Sequence, residues 1–183
     1  MKLPRSFYAR KADLVAKDLL GTILVHRLKK KMYRARIVET EAYLGQKDLA
    51  CHASKGRTKR TEVMFGPPGY AYVYFVYGMY DMFNIVTAEE GDPHAVLIRA
   101  AEPLDGWKIN LSGPGKLTKA MKINRRYNGT DLCGPLLYVE EGRPITHITK
   151  TPRIGVHYAG AWSKRSLRFF DSLSLFVSKR SSN

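Results

Sequence analysis

The stretch YAYVYFVYGMYDMFNIV (70–86) leaves the chain few choices. Two runs rich in aromatic and β-branched residues flank Gly78, and such runs favour strands. The glycine supplies the backbone freedom of a tight turn. The spacing predicts an antiparallel hairpin of YAYVYFVY (70–77) and MYDMFNIV (79–86), with Tyr77 beside its tip. Tyr70, Tyr72, Tyr74, Tyr77 and Tyr80 are five of the chain's 11 tyrosines. Strand propensity alone accounts for many of them, and Tyr72 and Tyr74 are expected to include core positions. An aromatic on a stiff tip, such as Tyr77, can also act as a wedge between base pairs, and tyrosines further down the strand can stack on a base.

Around the hairpin, ARKADLVAKDLLG (9–21) reads as a helix, with Leu14, Val15 and Leu19 at helical spacing and Gly21 as its stop. TILVHRL (22–28) and MYRARIVETEAYLG (32–45) read as strands joined by a turn at KKK (29–31). A long loop spans 46–69, with room for one short helix. AVLIRAA (95–101) is a further strand, and LSGPGKLTKAMKI (111–123) a turn opening a short helix. LLYVEEG (136–142) and RIGVHYAG (153–160) are strand candidates, followed by a basic, polar tail from about residue 162. The elements make one α+β domain, residues 1–183, with a mostly antiparallel sheet.

Charge narrows the partner. Lys and Arg number 31 against 16 Asp and Glu, a formal net charge of +15, which suits a polyanion because phosphate contacts release counterions. Six of the acids fall in residues 81–105 with one base, Arg99, so the positive charge concentrates elsewhere, as on a docking face. No segment is apolar enough to cross a membrane, and no secretory signal is expected. Two cysteines, Cys51 and Cys133, offer neither a disulfide framework nor a four-cysteine zinc site. They suit a reducing compartment: cytoplasmic, or nuclear in a eukaryote.

In IVETEAYLG (37–45), strand alternation projects Glu39, Glu41 and Tyr43 from one face. The plain reading is a solvated face in which a carboxylate pairs with Arg or Lys. Two functional readings compete with it: a Mg²⁺-binding pair for a nuclease, or one carboxylate activating water beside an aromatic stacking surface. His52 follows Cys51 in the loop, where an ordinary loop histidine is the simplest account. HASKGRTKR (52–60) gathers Lys55, Arg57, Lys59 and Arg60 for solvent or for phosphate. GPGKL (113–117) lacks the spacing of a nucleotide-triphosphate loop, although Lys116 at a helix start could hold a nucleic-acid phosphate.

RIVETEAYLG (36–45), the H-x-S of HASKGRT, MFGPPGYAYVYFVYGMYDMFNIV (64–86), AVLIRAAEPLDG (95–106) and GPGKLTKAMKIN (113–124) together resemble the alkyladenine (3-methyladenine) DNA glycosylase family, in order over residues 5–160. The resemblance implies a curved sheet with flanking helices and a protruding hairpin. It implies a base-excision-repair enzyme that flips an alkylated or deaminated purine from duplex DNA and hydrolyses its N-glycosidic bond. Position by position, it implies that Glu41 activates the attacking water and that Arg99 helps hold that water and nearby phosphate. Tyr43, His52 and Tyr74 enclose the base, Asn84 rejects guanine, and Tyr77 fills the vacated stack. Lys116, with Lys55 and Arg57 from the basic loop, would contact DNA backbone. No metal, no cofactor, no strand cleavage and a single copy of the chain are expected. Aromatic faces would favour cationic lesions by about 0.5–2 kcal/mol. A Mg²⁺-dependent nuclease using Glu39 and Glu41, or a non-enzymatic nucleic-acid-binding module, are the alternatives.

Overall fold

In the computed structural model, which describes residues 1–180, one long strand organises the rest. This strand, β2 (Lys31–Leu44), follows β1 (Ile23–Leu28) after a turn in which Lys29 takes a positive φ of 52°. β1 pairs along the first half of β2, Lys31–Arg36. β5 (His94–Pro103) runs along the opposite edge from Ala35 to Leu44. β8 (Arg168–Asp171) takes the edge that β1 leaves free, pairing with Glu39–Glu41. The hairpin is β3 (Ala71–Val76) and β4 (Tyr80–Thr87), and β4 joins the sheet through β5. β6 (Leu137–Glu140) pairs with β1, and β7 (Ile148–Thr151) with β8. All these pairings are antiparallel, in one curled eight-stranded sheet ordered β3-β4-β5-β2-β1-β6, with β8 and β7 off that path.

The register of β2 against β5 slips twice, between Ile37 and Glu39 and between Glu39 and Thr40. Val38 on β2 and Arg99 on β5 are the residues passed over. Such bulges bend a sheet and re-aim side chains, and this one sits where both glutamates meet Arg99.

The helices cover one face. α1 (Arg5–Tyr8), α2 (Ala12–Asp18) and α3 (Pro114–Met121) bury Tyr8, Val15, Leu117 and Met121 against Ile37, Phe83, Ile85 and Ile98. Thr40, pointing to that face, donates its hydroxyl to the Ala16 carbonyl at 2.8 Å. Of the helix expected over 9–21 only Ala12–Asp18 forms, a separate short helix precedes it at Arg5–Tyr8, and Leu14 is exposed rather than part of an apolar stripe. The loop 46–69 carries three single-turn 3₁₀ segments, Gly45–Lys47, His52–Lys55 and Glu62–Phe65.

Two expectations for the last third are corrected. Residues 153–160 are not a strand: Gly155 and Gly160 take φ of 75° and 56°, and a kinked 3₁₀ segment occupies His157–Lys164. The basic stretch from about 162 is not an appended tail, because it contributes β8 at the middle of the sheet. Its polarity misleads because Arg168 is buried, with its charge spent on Glu39 at 2.7 Å.

Candidate active site

The hairpin stands beside a cavity of about 280 Å³, close to the smallest volume usual for a small-molecule site. Tyr43, His52, Tyr74, Tyr77, Asn84 and Arg99 all line it, so six of the residues singled out from sequence converge although they come from β2, a loop, the hairpin and β5. On one side His52 meets Tyr74 edge-on, ring centroids 4.5 Å apart, and its Nδ1 shares a 3.0 Å hydrogen bond with the Tyr72 hydroxyl. Burial, with the charges of Arg60 and Lys55, pushes the His52 pKa down to about 4. The imidazole is therefore neutral at neutral pH. Burial pushes the Tyr72 phenol up to about 12 and the Tyr74 phenol up as well.

Asn84 is buried on β4. Its amide nitrogen donates to the Tyr72 carbonyl at 3.1 Å and to the Met82 carbonyl at 3.4 Å, which fixes the side chain. Tyr77, 86% exposed, takes the left-handed backbone at φ 53°, ahead of Gly78 at 65°. Left-handed backbone at a bulky residue costs about 1–2 kcal/mol, so the tip conformation is held by the surrounding hairpin. Met79 and Tyr80 extend the exposed apolar tip.

Beneath the cavity lies Glu41, which has no exposed surface and is not itself among the lining residues. It meets the cavity through its partners. Tyr43 donates its hydroxyl to Oε2 at 2.9 Å, the Ile154 backbone N–H donates to Oε1 at 2.7 Å, and Arg99 Nη1 lies 3.4 Å from Oε1. The outward face expected for Glu39, Glu41 and Tyr43 is thus a buried polar layer. Burial and then the Glu41 carboxylate hold the Tyr43 phenol well above its usual pKa, so it remains a donor. Burial works against the charge of Arg99, but Glu41 and Glu39 more than offset it and its pKa is raised. Glu39 is engaged by Arg99 and Arg168, the surroundings of a neutralised carboxylate rather than of a cation ligand. Among the described residues no group of three or more His, Cys, Asp or Glu side chains is placed to hold a metal.

The sequence matches the family described as Methylpurine-DNA glycosylase (MPG) over residues 6–174. The chain belongs to that family. A protein of Legionella pneumophila (strain Corby), named "Putative 3-methyladenine DNA glycosylase", is 54% identical over 182 residues, covering 97% of this chain and 98% of its own length. Proteins of the same name from Methanocella arvoryzae and Myxococcus xanthus are 52% and 50% identical, again over 97% of this chain and over 96% and 93% of theirs. The chain is therefore a DNA glycosylase for alkylated bases, a hydrolase of base-excision repair whose substrate is DNA.

In this glycosylase Lys55, Arg57 and Lys116 are exposed and stand outside the cavity lining. Arg57 pairs with Glu62 at 3.5 Å, and Lys116 lies in the first turn of α3. Sequence reasoning missed several residues around the site, and placed Arg60 only in a basic loop. Arg153 is fully buried, forks onto Asp48 at 2.5 and 2.9 Å and lies 4.7 Å from the Tyr43 ring centre. Arg60 lies 5.3 Å from the Tyr74 ring centre. Ile154 and Tyr158 line the cavity from the segment misread as a strand. The fork of Arg153 explains that misreading, since it anchors the segment side-on to Asp48 and to the Ala42 carbonyl at 2.9 Å instead of through a strand ladder.

Proposed function

We propose that this glycosylase rotates an N-alkylated or deaminated purine out of duplex DNA into the cavity and hydrolyses its N-glycosidic bond with water activated by Glu41. The substrates would be 3-methyladenine, 7-methylguanine, hypoxanthine and ethenoadenine, and the product an abasic site. The observation that carries this reading is the bonded trio of Glu41, Tyr43 and Arg99 directly under an aromatic cavity beside an exposed aromatic tip.

A base inside a duplex is out of reach, and unstacking it costs a few kcal/mol. Tyr77 offsets that cost by filling the gap. The purine stacks among Tyr43, His52 and Tyr74, and Asn84, unable to swing aside, clashes with the exocyclic amine of guanine. As the bond from C1′ to the base nitrogen breaks, its electron pair leaves with the base and positive charge grows on the sugar. Each carboxylate oxygen accepts about two hydrogen bonds. Oε2 of Glu41, which accepts from Tyr43 alone, keeps an unused acceptor position, which a small shift of the Tyr43 ring as the nucleotide enters opens to a water. Water oxygen bonds C1′, its proton passes to the carboxylate, and the negative charge of Glu41 stabilises the oxocarbenium-like sugar. Because Glu41 has no exposed surface, that water is held between Arg99, Tyr43 and the bound sugar, and is not drawn freely from bulk. The reaction ends at the abasic site, with the strand intact.

Arg153 over Tyr43 and Arg60 over Tyr74 modify the preference for charged lesions. Both stacking rings already hold a cation of the protein, so a cationic base gains less than the aromatic faces alone would offer. Neutral hypoxanthine and ethenoadenine are correspondingly less disadvantaged.

Glu41→Gln tests the mechanism. Bound to lesion-containing duplex as tightly as the native chain, it should excise at least about a thousandfold more slowly in single-turnover assays with EDTA present. Excision at the native rate would overturn the role of Glu41. Strand cutting that EDTA abolishes would instead favour the nuclease.

A further inference from the structure

Glu39 neither lines the cavity nor reaches solvent, yet it accepts four hydrogen bonds. Its Oε1 accepts from Arg99 Nε at 3.1 Å, Arg168 Nε at 2.7 Å and the Ser178 hydroxyl at 2.8 Å, and its Oε2 accepts from the Ser178 backbone N–H at 2.6 Å. A buried carboxylate needs a partner charge. Here two arginines converge on it, and one of them is Arg99.

Each nitrogen of the Arg99 guanidinium is thereby assigned. Nε faces Glu39, Nη1 faces Glu41 at 3.4 Å, and Nη2 donates to the Ser178 hydroxyl at 3.5 Å. A guanidinium left to itself prefers to fork onto one carboxylate with two parallel bonds. Were Arg99 to fork onto Glu41, it would occupy the acceptor positions that a water must use. Glu39 and Ser178 hold it edge-on, so that it touches Glu41 through a single nitrogen. Ser178 lies four residues past the end of the family match, and Arg168 fastens the same terminal segment by donating to the Lys179 carbonyl.

We infer that Glu39 and Ser178 are positioning residues for the hydrolysis, and that the C-terminal segment sets the angle at which Arg99 meets Glu41. This inference rests on the proposed roles of Glu41 and Arg99. Misplacement of a catalytic group by about 1 Å costs on the order of a hundredfold in rate, and loss of one of several anchors is expected to cost about tenfold.

The test is single-turnover release of bases from methylated duplex DNA, with binding to the same DNA measured separately, using the full chain. Ser178→Ala should excise about tenfold more slowly while its dissociation constant stays within about twofold and its melting temperature stays above the assay range. Ser178→Thr, which keeps the hydroxyl, should restore the rate to within about threefold. Glu39→Gln should lose more than Ser178→Ala, and if it does not fold, the two serine variants still decide the matter. A folded Ser178→Ala with the native rate overturns the inference. So does a loss that Ser178→Thr fails to rescue, or one that appears in binding and not in the chemical step. Glu41→Gln run alongside separates the two readings. Native excision by Glu41→Gln removes the mechanism itself, whereas an inactive Glu41→Gln beside a native-rate Ser178→Ala removes only the positioning role.

Discussion

The hairpin tip and the cavity floor are opposite solutions to holding a side chain still. At the tip, Tyr77 is 86% exposed and fixed by backbone alone, at a positive φ in a tight turn. Along the same hairpin, the Asn128 side chain accepts from the Val73 N–H at 3.0 Å, and nearer the tip Arg125 packs 4.1 Å from the Phe75 ring centre while pairing with Asp81 at 3.4 Å. At the floor, Glu41 and Glu39 have no exposed surface, and side chains and backbone amides from distant parts of the chain hold them. The finger takes its shape from neighbours in sequence and needs only a few distant braces. A buried charge layer needs partners brought from afar. The difference implies that changes at the tip should alter capture of the base, and changes around the floor should alter chemistry or stability.

The sharpest way to break that division is Tyr77→Ser. Loss of a filler worth roughly the few kcal/mol of unstacking should slow excision from duplex DNA about a hundredfold. Excision from single strands should be nearly unchanged, because they need no filler. Equal losses on both would place Tyr77 in the chemistry. Next in size is an acid effect on stability. His52 falls from 6.5 to about 4 on folding. Above pH 6.5 both states are neutral and the shift contributes nothing. As pH drops from 6.5 towards 4 the unfolded chain takes up a proton that the folded chain refuses, and about 2–3 kcal/mol of stability is lost. His26 and His94 are shifted down as well, both by burial first. Urea titrations should therefore compare the native chain with His52→Gln, whose decline over this range should be shallower by that amount.

Two smaller effects concern which base is admitted. Asn84→Ser removes a fixed obstacle, and release of normal guanine should rise about tenfold, read as free guanine from undamaged duplex. Unchanged release would mean that guanine is rejected elsewhere. Arg60→Ala takes a cation from the Tyr74 face. The ratio of 7-methylguanine to hypoxanthine excision should then rise about threefold, the worth of an exposed cation–π contact. An unchanged ratio with both rates lowered would show Arg60 acting on phosphate instead.

What the sequence discloses follows the same division. The hairpin, its exposed Tyr77 and the alternation of Glu39, Glu41 and Tyr43 are local patterns of period two around a glycine, so they are readable without any tertiary information. The partners of Glu39 are not: Arg168 and Ser178 stand 129 and 139 residues away. Nothing in a basic, polar stretch indicates that one of its arginines will be buried in mid-sheet. Alternation also says which side chains share a face but not whether that face is wet, so Glu41 reads as solvated when it is fully enclosed. RIGVHYAG looks like a strand because its apolar residues alternate, yet Gly155 and Gly160 turn its backbone away from any ladder.

One small contact joins the hairpin to the start of α3. A methyl group at Gly115 would come within 2.5 Å of the Tyr80 ring, so the start of α3 lies flush against the hairpin with nothing between them. The start of α3 and the hairpin consequently move as one piece, so that if Lys116 takes a phosphate and Tyr77 fills a vacated stack, the span between the two is fixed. Such a pair would work as a caliper, presenting the ring to the same nucleotide relative to wherever the cation settles.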